Sequence, residues 1–123
     1  MDNRTGKIGE DYAAAMLKNR GWTVLERNYR SRYGEIDIIA RDGQYIVFVE
    51  VKTRHTAGLD HPLAAVTKGK QQKLLKTALL YLSEHPEAQQ YDCRFDVAGL
   101  TTDGTGTVLR VDYIENAFEG EPV

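Results

Sequence analysis

The stretch GEIDIIARDGQYIVFVEVK, residues 34 to 52, constrains the fold more than any other part of the chain. Two segments rich in β-branched and aromatic residues flank Asp42-Gly43, a dipeptide suited to a two-residue type I′ turn, so the pattern predicts a β-hairpin with strands over about 35–41 and 44–52. With that turn Arg41 faces Gln44, Asp37 lies opposite Phe48 and Glu35 opposite Glu50. Asp37 and Glu50 are then diagonal neighbours on one face, which Lys52 shares through the period of two. Facing side chains start roughly 5 Å apart and diagonal ones roughly 7–8 Å, so these carboxylates can converge on one small ion. A divalent cation removes their repulsion, and carboxylates, carbonyls and water are the ligands that Mg²⁺ or Mn²⁺ prefers. The polar side of an ordinary antiparallel sheet is the competing explanation, but Ile39, Ile46 and Phe48 share that face. A three-residue turn would slide the register by one and undo the convergence.

The rest of the chain supplies a sheet and helices around the hairpin. Ile8, Tyr12, Ala15 and Met16 fall at helical spacing and predict a helix over Thr5–Arg20, capped by Asn3 or Thr5 and stopped at Gly21. WTVLERNYR (22–30) reads as a strand, SRYG as its connection to the hairpin, and residues 53–70 as a long loop. A second helix is expected over about Thr67–Ser83, with Leu74, Leu75, Ala78, Leu79 and Leu82 as its apolar stripe and Pro86 beyond its end. Two short strands follow, CRFDVAGL and GTVLRVDYI, around the turn Asp103-Gly104-Thr105-Gly106. The order α-β-β-β-α-β-β implies an α/β fold: one domain over residues 1–123 with a central mixed five-stranded sheet flanked by helices.

The longest apolar run, Tyr45 to Val49, is far short of the roughly 20 residues a membrane helix needs, so no membrane association is expected. The first residues lack a secretory apolar segment and Cys93 is the single cysteine, which together suggest a reducing, cytoplasmic setting. The net charge of −2 conceals an asymmetry: residues 1–76 carry 14 Lys+Arg against 9 Asp+Glu, residues 77–123 only 2 against 9. Such a split can build one positive face for nucleic-acid phosphates, although unevenly charged surfaces are common.

Several residues outside the hairpin point toward the same site. Glu10 has Ala13, Ala14 and Leu17 at i+3, i+4 and i+7, at the margin of the apolar stripe and within reach of the metal; an acid in a first helical turn would equally serve the macrodipole. Gln71 precedes Leu74, Leu75 and Ala78 at the same offsets, which puts an amide near the helix start where it can orient water or phosphate. Lys68, Lys70, Lys73 and Lys76 could bind phosphates there, though a lysine-rich helix is more often simply solvated. Arg94 and Asp96 alternate onto one side of their strand, as a buried ion pair before a substrate contact. His55, His61 and His85 share no metal-ligand spacing.

Asp37 followed thirteen residues on by Glu50-Val51-Lys52 resembles the PD-(D/E)xK nuclease signature, with Ile36 in place of its proline. The surrounding GEDYAAAMLKNRGWTVLERNYR, GEIDIIARDG, VFVEVKTR, the lysine-bearing helix and RFDV resemble the YraN-like family of small predicted endonucleases over about residues 6–118. The element order is similar to that of Holliday-junction resolvases, which implies a restriction-endonuclease-like fold and, by analogy, a homodimer. By that resemblance Glu10 corresponds to the helix acid, Asp37 to the strand acid, and Glu50 and Lys52 to the ExK pair. It further implies that Asp37, Glu50 and the Val51 carbonyl hold Mg²⁺ or Mn²⁺, with Glu10 completing a second ion's shell. Lys52 then positions a metal-activated water, and Arg54 grips flanking phosphates.

The expected activity is metal-dependent hydrolysis of nucleic-acid phosphodiesters, DNA before RNA, in repair or recombination. No base-reading motif is recognisable, so structure-selective or non-specific cutting is expected. The alternative is a nucleic-acid-binding module that keeps the fold without cleaving. A nucleotide hydrolase has no support, since Gly104 and Gly106 fall between late strands and no phosphate-binding glycine loop is present.

Overall fold

The structure is a computed structural model that describes residues 3–55 and 66–119. Helix α1 (Asn3–Asn19) leads into strands β1 (Thr23–Ser31), β2 (Gly34–Asp42) and β3 (Tyr45–His55); helix α2 (Lys68–Glu84) and a 3-10 turn (Pro86–Gln90) precede β4 (Asp92–Thr102) and β5 (Val108–Phe118). The five strands lie in the order β1-β2-β3-β4-β5, antiparallel except for β3 and β4, which run parallel from Tyr45↔Asp92 to His55↔Thr102. This is the expected mixed α/β sheet, consistent with a restriction-endonuclease-like fold. A parallel pair needs a crossover, and α2 lies in the segment that makes it. Much of the stretch expected as a loop after β3, residues 56–65, lies outside the described residues.

Each face of the sheet has its own core and its own helix. Ile38, Ala40, Val47, Val49, Ala98 and Leu100 pack with Ala13, Ala14 and Leu17 of α1. On the other face Ile36, Ile39, Ile46, Phe48, Phe95 and Val97 pack with Leu74, Leu75, Ala78 and Tyr81 of α2. The run Ile46 to Glu50 is therefore buried on both sides, which accounts for its near-continuous hydrophobicity.

The hairpin turn differs from the expected one. Asp42 pairs with Tyr45 and Arg41 with Ile46, so the two-residue turn is Gly43-Gln44 rather than Asp42-Gly43. Gly43 has φ +57 and Gln44 is not in the positive-φ region, the signature of a type II′ turn, which needs its glycine first. The register consequently moves by two, an even step, and the side chains of the paired stretch, residues 38–42 and 45–49, keep their expected faces.

Two helical faces also depart from expectation. Tyr12 is exposed, Ala15 lies on the solvent side, and the buried stripe of α1 is Gly9, Ala13, Ala14 and Leu17. A Cβ on Gly9 would stand 1.9 Å from Thr53 Oγ1 on β3, so α1 rests on the strand with no room for a side chain. On α2, Leu79 is exposed while Thr77 and Tyr81 are buried in its stead. Thr67 is the N-cap, its hydroxyl accepting from the Lys70 N–H at 3.2 Å.

Helix propensity alone would make Gly9→Ala stabilising by up to about 1 kcal/mol, but overpacking against buried Thr53 typically costs about 1–3 kcal/mol. We expect Gly9→Ala to lower Tm by several degrees, and Gly9→Ala/Thr53→Ala to recover it, since Thr53 Oγ1 is a buried hydroxyl with no hydrogen bond among the described residues. Thermal unfolding of the two variants checks this.

Candidate functional site

The site begins where the hairpin stops pairing. The β2–β3 ladder ends at Ile38↔Val49, and on the other side β1 and β2 pair at Arg27↔Ile38 and Tyr29↔Ile36 but not at Asn28 and Asp37 between them. Asn28 has φ +55, a left-handed conformation that asparagine tolerates better than most residues. Across this irregularity Ile36 packs toward α2 and Ile38 toward α1, so the chain turns over at Asp37. The Asp37 carboxylate enters the gap and accepts the Val51 N–H at 2.7 Å. The N–H and C=O of a strand residue point to the same neighbour, which aims the Val51 carbonyl at that gap as well.

Glu50 follows the last buried hydrophobic of β3 and is itself only 7% exposed. Its Oε1 receives two ammonium groups, Lys70 at 3.1 Å from α2 and Lys52 at 3.5 Å from its own strand. Burial, and then the nearby Glu50 charge, push the Asp37 carboxyl up to about 7, only partly opposed by the Val51 N–H. Burial lowers the Lys52 pKa, aided by the neighbouring Lys70 ammonium and opposed by Glu50. Burial also works against the Lys70 charge, but its contacts with Lys52 and Glu50 outweigh that and leave its pKa raised.

Glu10, Asn28, Asp37, Val51, Lys52 and Thr53 line a cavity of about 510 Å³ on this side of the gap. A larger hollow of about 630 Å³ between α2 and β4–β5, with Phe48, Leu79, Arg94 and Phe118 in its wall, contains none of the expected site residues. Glu10 is the eighth residue of α1, so a first-turn role with the macrodipole does not apply. It is held by Arg27 at 3.1 Å and by Asn28 Nδ2 at 2.7 Å, and Arg27 also grips Asp11 at 2.6 Å. Asn28 and Arg27 thus orient Glu10 toward the cavity that holds Asp37. Only the asparagine in a strand-like segment hinted at this in the sequence.

The remaining expected residues divide. Lys70 joins the acids, a placement that its position in a lysine-rich helix did not reveal. Gln71 is half-buried and donates its amide to the Val66 carbonyl at 3.1 Å, so among the described contacts it braces the start of α2. Lys68 and Lys73 are exposed, and Arg54 is half-buried near the end of β3. Glu35 lies beside Arg30, at 3.7 Å, instead of facing Glu50. Arg94 and Asp96 form the expected buried ion pair at 3.1 Å; Asp96 also accepts from the Tyr113 hydroxyl and the Asn116 N–H, which locks β4 to β5.

Among the described residues no three Asp, Glu, His or Cys side chains form a ready-made metal cage. The gap offers two carboxylates and a carbonyl, all hard oxygen donors, and Mg²⁺ is ordinarily held by one or two carboxylates with water filling its shell. The raised Asp37 pKa comes first from burial and then from repulsion by Glu50, and a divalent cation between the two carboxylates would relieve the second.

In metal-free solution the same shift sets a pH dependence of stability. Asp37 titrates near 7 in the folded chain and near 3.9 unfolded, so the native state holds its proton longer and loses stability as pH rises through that window. Asp37→Asn removes this loss while keeping an acceptor for Val51. We expect the variant to gain on the native chain between about pH 4 and pH 8, ending more stable, as read by urea unfolding in EDTA; a difference independent of pH would refute this.

Residues 9–100 match the family described as "Uncharacterised protein family UPF0102". A UPF0102 protein of Syntrophus aciditrophicus is 47% identical over 116 residues, covering 94% of this chain and 89% of the relative. One from Chlorobium phaeobacteroides is 44% identical, covering 92% of each, and one from Geobacter sulfurreducens is 46% identical, covering 93% of this chain and 88% of the relative. With the match spanning most of the chain and both helices' contributions to the site within it, the chain belongs to the UPF0102 family.

Proposed function

We propose that this chain is a Mg²⁺- or Mn²⁺-dependent endonuclease that hydrolyses DNA phosphodiester bonds, structure-selectively or without sequence preference, in repair or recombination. The observation that carries this reading is the open end of the β2–β3 hairpin, where Asp37, the Val51 backbone, Glu50 and Lys52 converge beside a cavity. Asp37, Glu50 and the Val51 carbonyl would hold the ion. When bound, it supplies Lewis-acid polarisation of the phosphoryl oxygen and a more acidic water. Lys52 orients the attacking water and offsets charge that develops on the phosphate. Glu10, fixed by Arg27 and Asn28, closes the far wall and would complete a second ion's shell. Lys68, Lys73 and Arg54 are assigned to flanking phosphates, contacts that carry no sequence information.

A second reading, a nucleic-acid-binding module that does not cleave, is favoured by one observation: Glu50 already has its charge compensated by two lysines.

Incubation with labelled single-stranded, duplex, flapped and four-way DNA in Mg²⁺, Mn²⁺ or EDTA separates the two. We expect metal-dependent cutting that Glu50→Ala abolishes and that Lys52→Ala lowers by at least about a hundredfold with DNA affinity nearly intact. DNA binding without cutting in any metal favours the second reading, and normal cleavage by Lys52→Ala removes that residue from the mechanism.

A further inference from the structure

The charges at the gap balance without an ion. Asp37 and Glu50 supply two carboxylates; Lys52 and Lys70 supply two ammonium groups, both directed at the same Glu50 oxygen. Two ammonium groups on one oxygen repel each other, and this arrangement persists only while Glu50 has no stronger cation. At Glu50 a bound divalent ion would displace an ammonium group from that oxygen and leave an excess of positive charge, which suits a phosphodiester and its more highly charged transition state.

The two lysines are not equivalent. Lys52 lines the cavity together with Asp37 and Val51 and is fixed to the strand that carries Glu50. Lys70 reaches across from the first turn of α2 and does not line that cavity; in exposure the two side chains are alike, 29% for Lys52 and 32% for Lys70. Swinging Lys70 away uncovers Glu50 without disturbing the Asp37–Val51 bond.

We propose that Lys70 holds the place of the cation at Glu50 in the free protein and passes to a substrate phosphate oxygen when Glu50 takes an ion. This inference rests on the nuclease reading and gives one residue two states: a stand-in for the ion before loading and a phosphate clamp after it. A lysine that simply contacted phosphate would contribute equally with and without the ion. Lys70 contributes to nucleic-acid binding only when the ion is present.

The test uses the full chain, Lys70→Gln and the charge-keeping Lys70→Arg. Mn²⁺ affinity is measured by calorimetry, and affinity for a cleavage-resistant phosphorothioate duplex by fluorescence anisotropy in EDTA and in Ca²⁺. Expected for Lys70→Gln are Mn²⁺ binding tighter by roughly tenfold, DNA binding weaker by roughly fivefold or more in Ca²⁺, and a change within about twofold in EDTA. Lys70→Arg keeps the native pattern. Equal loss of DNA affinity in EDTA and Ca²⁺, or unchanged Mn²⁺ affinity, overturns the inference and leaves the nuclease reading standing. Absence of any Mn²⁺ binding by the native chain overturns both.

Discussion

Strand β3 has helices over both faces and a hydrogen-bonded neighbour along each edge, so any polar group it carries inside this cover must find a partner within the fold. For the backbone the ladders with β2 and β4 serve. For side chains the strand uses hydrophobics as far as Val49, and the first acid, Glu50, arrives where the cover thins and where two ammonium groups reach it. The opening of the hairpin at Asp37 follows from the same limit, since the carboxylate takes over a backbone N–H that the shortened ladder with β2 no longer pairs. Position and reactivity of the site are thus set by the way a doubly covered strand ends.

Polar clusters fix the pieces around that strand. Arg27 bridges Glu10 and Asp11 and so ties α1 to β1 across the site's outer wall. Arg94 reaches Asp42, Asp96 and Glu115 and stacks near Trp22 and Tyr45, which joins the hairpin turn to β4 and β5. Because most of Arg94 and all of Asp96 are out of water, losing either partner would strand a charge, so these ties are stiff rather than merely attractive.

Much of the fold was legible in the sequence because it depends on period and punctuation. The apolar run of β3, the glycine at the hairpin turn, Gly21 after α1 and Asp103 in the last turn each marked an element correctly. The hairpin register lies two residues from the expected one because Asp42-Gly43 and Gly43-Gln44 are both acceptable turns; the even step keeps the faces of the paired stretch, and only the reversal at Asp37, where Ile36 and Ile38 take opposite faces, escapes the period of two. The buried face of α1 was legible in part: Ala13, Ala14 and Leu17 beside Glu10 belong to it, whereas the count over Ile8, Tyr12, Ala15 and Met16 takes in Tyr12 and Ala15, which face solvent, and passes over Gly9. Asp37, Glu50 and Lys52 could be brought together by strand arithmetic alone. Lys70 could not, since its contact with Glu50 depends on the height and direction of a helix more than a dozen residues further along the chain, and the same holds for the bond from Gln71 to the Val66 carbonyl.

The contact between Gly9 and Thr53 has a mechanical consequence. With no side chain between them, helix α1 and strand β3 cannot slide or part without opening a void, so Glu10 and Asp37 travel as one rigid body. Helix α2 lies chiefly over β1 and β2, and spans the wider space to β3 through long side chains such as Lys70. Compliance is therefore lopsided: one wall of the site is a fixed anvil, and any give in the site falls to the α2 side.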